Sequence, residues 1–110
     1  MTENAELERI ARTESMFREV NERIAETAER LDSDDAEFVC ECAEPTCTAR
    51  VDATLEEYER IRDDGATFLL APDHEDRRVE GVVRREAEHA VVEKTEPQVV
   101  RLVQALDPRA

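Results

Sequence analysis

The chain has 110 residues, of which 40% are apolar, and its 29 acidic and 15 basic residues give a net charge of −14 at pH 7. This length predicts a single domain, and the charge opposes binding to the phosphate backbone of nucleic acids and to anionic membrane surfaces. With three Phe, one Tyr and no Trp, the core is thin. Cores of this size supply only about 3–5 kcal/mol unless a staple such as a metal site is added.

The segment from Glu3 to Leu31 lacks Gly and Pro and is rich in Glu, Arg and Ala, which predicts one long helix. Apolar residues recur along it in an amphipathic seam, widened by three neighbours: Ile10, Phe17, Ile24 and Leu31, with Leu7, Val20 and Ala28. Such a helix runs roughly 40 Å, further than the remaining residues are wide. The seam therefore either covers the chain's own sheet or docks, where it overhangs, on a protein partner or a second copy.

An acidic run, Asp32 to Glu37, has the composition of a linker that ends this helix. Two strands are predicted next, at Phe38–Cys42 and Thr48–Ala53, with Pro45 in the turn between them. A capping box formed by Thr54 and Glu57 then opens a second helix, from Leu55 to about Asp63, and Gly65 is its expected stop.

The C-terminal half begins with a short buried strand, Thr67–Ala71, followed by a turn at Pro72–Arg78. The segment Val79–Lys94 predicts a hairpin with its bend near Glu86–Glu88. A last helix, capped by Thr95, is predicted from apolar residues at helical spacing: Val99, Leu102, Val103 and Leu106. This order of elements is typical of an α+β fold, with a small antiparallel sheet covered on one side by helices.

All three cysteines lie within eight residues, at Cys40, Cys42 and Cys47. No segment has the ~20 apolar residues of a membrane span and the N-terminus has no secretory signal, so we expect a cytoplasmic protein with reduced thiols. On a strand, Cys40 and Cys42 share one face, and a turn containing Pro45 can return Cys47 to it. Three converging thiolates are three of the four ligands of a tetrahedral zinc site.

The fourth ligand must come from elsewhere, and the chain has two histidines. We favour His74, because it lies in a turn that can aim its side chain freely, over His89, whose direction a strand would fix. The predicted Zn²⁺ ligands are therefore Cys40, Cys42, Cys47 and His74, with Glu41 and Glu44 facing away from the ion.

Several alternatives to zinc stay open. The thiols could form a redox pair, be buried without a function, or hold an iron–sulfur centre, for which the chain is one thiol short. A cysteine nucleophile with His74 as its base is another, although Glu41 and Glu44 oppose a thiolate and no catalytic motif is present. A basic patch is expected to pair with neighbouring acids rather than with nucleic acid: Arg77, Arg78, Arg84 and Arg85.

Five runs resemble a family of small uncharacterised bacterial proteins: MFREVNERIAE, FVCECAEPTCTARV, TLEEYERIR, FLLAPDHED and VVEK. The resemblance covers residues 16 to 94. In that family the C-x-C-x4-C run is followed by a Pro-Gly-His turn, which here is Pro72-Asp73-His74, and Asp tolerates the left-handed backbone that Gly adopts. The resemblance implies that Cys40, Cys42, Cys47 and His74 belong together, and it implies no activity.

These patterns lead to one hypothesis about organisation and function. Residues 1–31 form an N-terminal amphipathic helix, and residues 38–106 form an α+β zinc-binding domain with a structural Cys3His site. Zinc pins the hairpin Phe38–Ala53 to the strand that ends at Ala71, and the protein acts as an interaction or regulatory module with a protein partner or as a homodimer through the helix. A zinc–thiolate redox switch and an unrecognised cysteine-dependent enzyme are the alternatives.

Overall fold

Eight helices and strands follow one another in the computed structural model, which describes residues 2–109. They are α1 (Thr2–Arg30), β1 (Asp35–Val39), β2 (Arg50–Thr54), α2 (Leu55–Ile61), β3 (Thr67–Leu70), β4 (Glu80–Arg85), β5 (Ala90–Lys94) and α3 (Pro97–Ala105). This is the predicted α+β fold, and α1, about 44 Å long, spans the long dimension of a molecule that measures 46 × 28 × 24 Å. In residues 2–109, no helix combines the length and the apolar character needed to cross a membrane.

Within these residues the strands form two small antiparallel sheets, where the sequence predicts one. In the first sheet β1 pairs with β2, and Phe38 lies opposite Val51. In the second, β5 lies between β3 and β4. The predicted β4–β5 hairpin is confirmed, and its bend is closed by a hydrogen bond of 2.9 Å from the Glu86 N–H to the His89 carbonyl.

The first strand begins and ends three residues before the predicted strand Phe38–Cys42. Asn21 on α1 meets it at its end, because the side-chain amide bonds both the N–H and the carbonyl of Val39, each at 2.8 Å. The chain then crosses to the second sheet, where the Glu41 N–H donates to the Leu69 carbonyl at 2.8 Å. The cysteines therefore lie in the connection between β1 and β2, which contacts β3 of the second sheet, and not on a strand.

The acidic run after α1 is structured rather than a simple linker. Asp32 has a left-handed backbone, with φ of 54°. The N–H of Ser33 donates to the Ala28 carbonyl at 2.8 Å and that of Asp32 to the Glu29 carbonyl at 3.1 Å, the pair of bonds that defines a Schellman motif. Asp32 thus takes the position that glycine usually occupies, and the rest of the run enters β1.

The start of α2 agrees with the prediction, whereas the end of α2 and the start of α3 differ from it. The capping box of Thr54 is confirmed, but α2 ends at Ile61. Gly65 does not end it in a left-handed turn; a Cβ there would meet the Asp107 Oδ2 at 2.8 Å. The cap of α3 is Glu96 rather than Thr95, because Pro97 occupies the first helical turn and the Glu96 carboxylate accepts the Val99 N–H at 3.1 Å.

The buried face of α1 differs from the predicted apolar seam. Ile10 is buried, Phe17 and Ile24 are only half-buried, and Leu31 is 74% exposed. The side chains that face the core recur at intervals of three and four residues: Ala11, Glu14, Arg18, Asn21, Ala25 and Ala28. Half of these side chains are polar. The apolar residues of the sequence therefore predict a helix face that lies beside the face that is buried in the structure.

One of these polar groups, Glu14, belongs to an ionic network inside the core. The Lys94 ammonium is buried between the carboxylates of Glu14, at 2.7 Å, and Glu80. Glu80 also accepts the N–H of Asp76 at 2.8 Å. The network therefore joins α1, β4 and β5 to the loop after β3, which carries His74.

Arg18 is the second charged group of α1 that reaches the core. Its guanidinium donates to the carbonyls of Gly65 and Val103, both at 2.7 Å, and lies 4.4 Å from the centre of the Phe68 ring, where a cation–π contact is favourable. These bonds tie α1 to α3 and to the loop before β3.

The division of the chain into residues 1–31 and 38–106 stays a prediction.

Candidate metal centre

Three thiols and one imidazole converge between the two sheets: Cys40, Cys42, Cys47 and His74. The first two cysteines lie in the segment that follows β1. Cys47 ends a turn that contains Pro45, closed by a bond of 3.0 Å from the Cys47 N–H to the Glu44 carbonyl. His74 lies in the turn after β3, closed by a bond of 3.2 Å from its own N–H to the Ala71 carbonyl.

The donor atoms lie close enough together to hold one metal ion. All four lie within 4.8 Å of one another, and the His74 Nδ1 is 3.6 Å from the Sγ atoms of both Cys40 and Cys47. Zinc bonds of about 2.3 Å to sulfur and about 2.0–2.1 Å to nitrogen, at the tetrahedral angle, place those two atoms about 3.6 Å apart. The structure thus brings together the four side chains that the sequence predicts as ligands.

The turn that presents His74 tolerates an aspartate where the resemblance leads one to expect glycine. Asp73 has a left-handed backbone, with φ of 67°, a conformation that Asp adopts more readily than most residues. His89, the other candidate, does not belong to the thiol cluster. It lines a separate cavity of about 270 Å³ together with Glu57 and Arg84.

Glu41, between the first two cysteines, points into the core and is fully buried. Its carboxylate accepts hydrogen bonds from the Leu69 N–H at 2.9 Å, the Asn21 amide at 2.8 Å and the Tyr58 hydroxyl at 3.0 Å. Burial raises the pKa of Glu41, and these bonds act in the opposite direction by stabilising the charge. With the Glu41 N–H bonded to Leu69, the residue fastens the cysteine segment to the edge of β3.

Two further contacts order the site. The Ala71 N–H donates to the Cys40 Sγ at 3.2 Å, which links this thiol directly to the end of β3. Glu44, the other acid beside the cysteines, is exposed and accepts hydrogen bonds from the N–H and hydroxyl of Thr46 at 3.2 and 2.8 Å. Hydrogen bonds of this kind, one shell outside the ligands, hold a metal site in its geometry.

The three thiols differ in how readily they ionise. A hydrogen bond from Cys40 lowers the pKa of Cys42 to about 5. The same bond, together with burial, raises the pKa of Cys40, and burial raises the pKa of Cys47. The protein groups thus favour one thiolate among the three, and a positive charge close by, such as a metal ion, would favour ionisation of the other two.

A cleft of about 820 Å³ opens beside the cluster, and Cys42, Cys47 and His74 lie on its wall. Arg78 also lines it and is paired with the Asp76 carboxylate at 2.7 Å. The cleft is polar and leaves part of the cluster accessible from solvent.

Asn21 and Tyr58 support the site through Glu41, and sequence analysis gave them no such role. Tyr58 is the only tyrosine of the chain and is buried on α2. Asn21 follows Arg18 by three residues and precedes Ala25 by four. All three lie on the buried face of α1, but polar residues at this spacing carry no sequence signal that would mark them as buried.

Comparison with family models, with curated proteins and with solved structures gives no match. The resemblance to small bacterial proteins therefore stays a prediction, and the function is argued from the geometry of the site.

Proposed function

We propose that this protein binds one Zn²⁺ through Cys40, Cys42, Cys47 and His74, and that the ion has a structural role in a small interaction module. The observation that carries the proposal is the mutual spacing of the four donor atoms, all within 4.8 Å. The two sulfur–nitrogen distances of 3.6 Å match the edge of a tetrahedron around a single ion.

The chemistry of the donors favours zinc over other metals. Three sulfurs and an imidazole form one of the usual structural zinc sets, whereas magnesium and calcium require oxygen ligands. An iron–sulfur cluster uses ligands on different iron atoms, separated by the cluster itself. The compact group of donors supports a mononuclear site instead.

The ion stabilises a part of the fold that is weak on its own. β1 and β2 form a sheet of two strands of five residues each, and an isolated pair of this kind is marginal in water. The connection between them carries the three cysteines, and His74 follows β3 of the other sheet. A shared ion therefore fastens the β1–β2 connection to the second sheet, as a structural zinc does when its binding energy contributes to folding.

Metal content tests this function. Protein purified without added zinc should contain about one Zn²⁺ per chain, and a strong chelator should remove it and lower the midpoint of thermal unfolding. His74→Ala should weaken zinc binding by at least about tenfold, since it removes one ligand of four. His89→Ala is the matched control and should bind zinc like the natural chain. Folded protein without metal, or equal effects of the two substitutions, would contradict the proposal.

The cleft beside Cys47 and His74 is also what a cysteine-dependent enzyme would need, and their 3.6 Å separation is within reach of proton transfer. Two observations favour the metal. Cys40 lies equally close to the same imidazole nitrogen, and burial raises the pKa of Cys47, which opposes a free nucleophilic thiolate.

The interaction surface of the module is a groove of about 510 Å³ between α1 and β1. Its apolar lining includes Val20, Ile24, Leu31 and Ala36, and it also contains one basic and one acidic residue, Arg23 and Asp35. Val20 and Leu31 are 42% and 74% exposed. Its occupant in this proposal is an apolar, basic segment of another protein. A second copy would bring together two chains that each carry a net charge of −14, and like charges repel.

A further inference from the structure

The ligands of the proposed zinc site differ in their exposure to solvent. Cys40 and Cys42 are 2% and 3% exposed, whereas Cys47 is half-buried and His74 is exposed. Cys42, Cys47 and His74 all line the cleft of about 820 Å³, but the Cys42 side chain is buried where it meets the cleft. Cys47 is therefore the sulfur ligand that a small reagent reaches most easily in the folded protein.

The cleft suits a small neutral reagent better than an anion. Its two arginines have acidic partners: Arg78 is bonded to Glu6 and Asp76, and Arg9 lies 4.0 Å from Glu6. A zinc-bound cysteine is a thiolate, which is the form of the side chain that attacks electrophiles. Hydrogen peroxide is a neutral electrophile of the required size.

Two other sulfurs lie close enough to form a disulfide with Cys47. Cys40 is held at the end of β3 by the Ala71 N–H. Cys42 is separated from Cys47 only by residues 43–46, which are exposed or half-buried. This short segment can bring the two sulfurs to the bond length of about 2.05 Å without moving β3, so Cys42 is the better partner.

We propose that hydrogen peroxide opens the zinc site by oxidising Cys47, which then forms a disulfide with Cys42; this inference rests on the proposed zinc function. The Cys47 sulfur attacks one peroxide oxygen, the O–O bond breaks, and a sulfenic acid and hydroxide form. The Cys42 thiolate attacks that sulfur and expels a second hydroxide. The two cysteines lose two electrons, the peroxide gains two, and two protons from solvent convert the hydroxides into water.

The disulfide removes two of the four ligands. Cys40 and His74 remain, too few for a closed structural site, so the ion is released. The Ala71–Cys40 and Glu41–Leu69 hydrogen bonds do not involve the oxidised sulfurs. The core therefore stays folded, while the turn of His74 is freed from residues 42–47. The cleft changes shape in response to peroxide, and a reductant reverses the change.

The test uses the zinc-loaded chain, titrated with hydrogen peroxide beside a chromophoric zinc chelator. We expect one zinc released for each peroxide consumed, a disulfide between Cys42 and Cys47 in the peptide map, and full zinc uptake after reduction. Dimedone present during oxidation should label Cys47 first. Cys42→Ser should retain this label at Cys47 and form no Cys42 disulfide, and His89→Ala, a control outside the site, should release zinc like the natural chain.

The outcomes separate the two proposals. A chain that holds one zinc and keeps it in a large excess of peroxide overturns the peroxide response and leaves the structural site intact. First labelling at Cys40 or Cys42, or a disulfide between Cys40 and Cys47, overturns it as well. A chain that binds no zinc before peroxide is added refutes the zinc function itself. The label and disulfide maps of the natural chain decide these points even where Cys42→Ser does not fold.

Discussion

Removing the Glu41 carboxylate tests whether this buried acid holds the cysteine segment to the second sheet. In Glu41→Ala, three buried donors lose their acceptor: the Leu69 N–H, the Asn21 amide and the Tyr58 hydroxyl. Each stranded donor costs about 1–3 kcal/mol, and the loss of a buried charge offsets part of that sum. We expect the free energy of unfolding to fall by about 3–4 kcal/mol, a large share of the 5–15 kcal/mol typical of a domain.

Glu41→Gln separates the hydrogen bonds from the size of the side chain. The amide keeps one oxygen but turns an NH2 group towards donors. Asn21 cannot rotate to compensate, because its amide already bonds both backbone groups of Val39. A loss of about 1–2 kcal/mol is expected, smaller than that of the alanine variant.

Urea unfolding of the zinc-saturated protein, followed by circular dichroism, measures both effects. The midpoint of Glu41→Ala should be lower by about 2 M urea at an ordinary slope for a small domain. Glu44→Ala is the matched control, since Glu44 is the other acid beside a cysteine but is exposed and its carboxylate bonds only the nearby Thr46 in the described structure; its midpoint should fall by much less. A wild-type midpoint for Glu41→Ala, or an equal loss in Glu44→Ala, would refute the reasoning.

Three further predictions follow from the charges and the groove. Zinc affinity should rise with pH by up to about a hundredfold per pH unit, because zinc binding displaces protons from Cys40 and Cys47, whose pKa values are raised. Competition with a chelator at pH 6 to 8 measures this dependence, and an affinity that does not change with pH would contradict it. Burial raises the pKa of Glu14 to about 7, so the folded protein keeps a proton that the unfolded chain has lost above about pH 4.3. The free energy of unfolding should therefore fall between about pH 5 and 7, by at most about 1.4 kcal/mol per unit, and Glu14→Gln should flatten this slope in urea titrations. Leu31→Glu should weaken the binding of a synthetic Leu/Lys amphipathic peptide by about tenfold. Met16→Glu, which makes the same charge change outside the lining of the groove, should have a clearly smaller effect. Equal losses of peptide affinity, or a stable dimer by sedimentation, would count against the proposed occupant.

The candidate ligands could be predicted because the cysteines are close together in the sequence and because the chain has only two histidines. Three of the four are cysteines within eight residues. The choice of His74 over His89 used a wrong premise, because His89 lies in the β4–β5 bend, one residue before β5, and not on a strand. The structure nevertheless places His74, and not His89, beside the thiols. The capping box of Thr54 and the β4–β5 hairpin are local in the same sense, because the residues that determine them are neighbours in the chain.

The buried face of α1 could not be predicted, because distant groups determine it. Glu14 and Arg18 count as solvent-exposed charges in any periodicity analysis, yet they bond Lys94 and the Val103 carbonyl inside the core. The end of β1 has the same origin. Asn21 bonds Val39 across 18 residues of sequence, and no residue of the run Phe38–Cys42 predicts that contact.

The polar stripe on α1 has a consequence for the order in which the chain can fold. Glu14 meets Lys94 across 80 residues of sequence, and Arg18 meets Val103 across 85. Until β5 and α3 are in place, burying this helix would strand two charges, so early collapse onto it is penalised. Folding then waits for the contacts that close the longest loops, which is the kind of topology that slows folding. The same penalty protects the protein, because a partly folded chain keeps the inner face of its longest helix charged and in water.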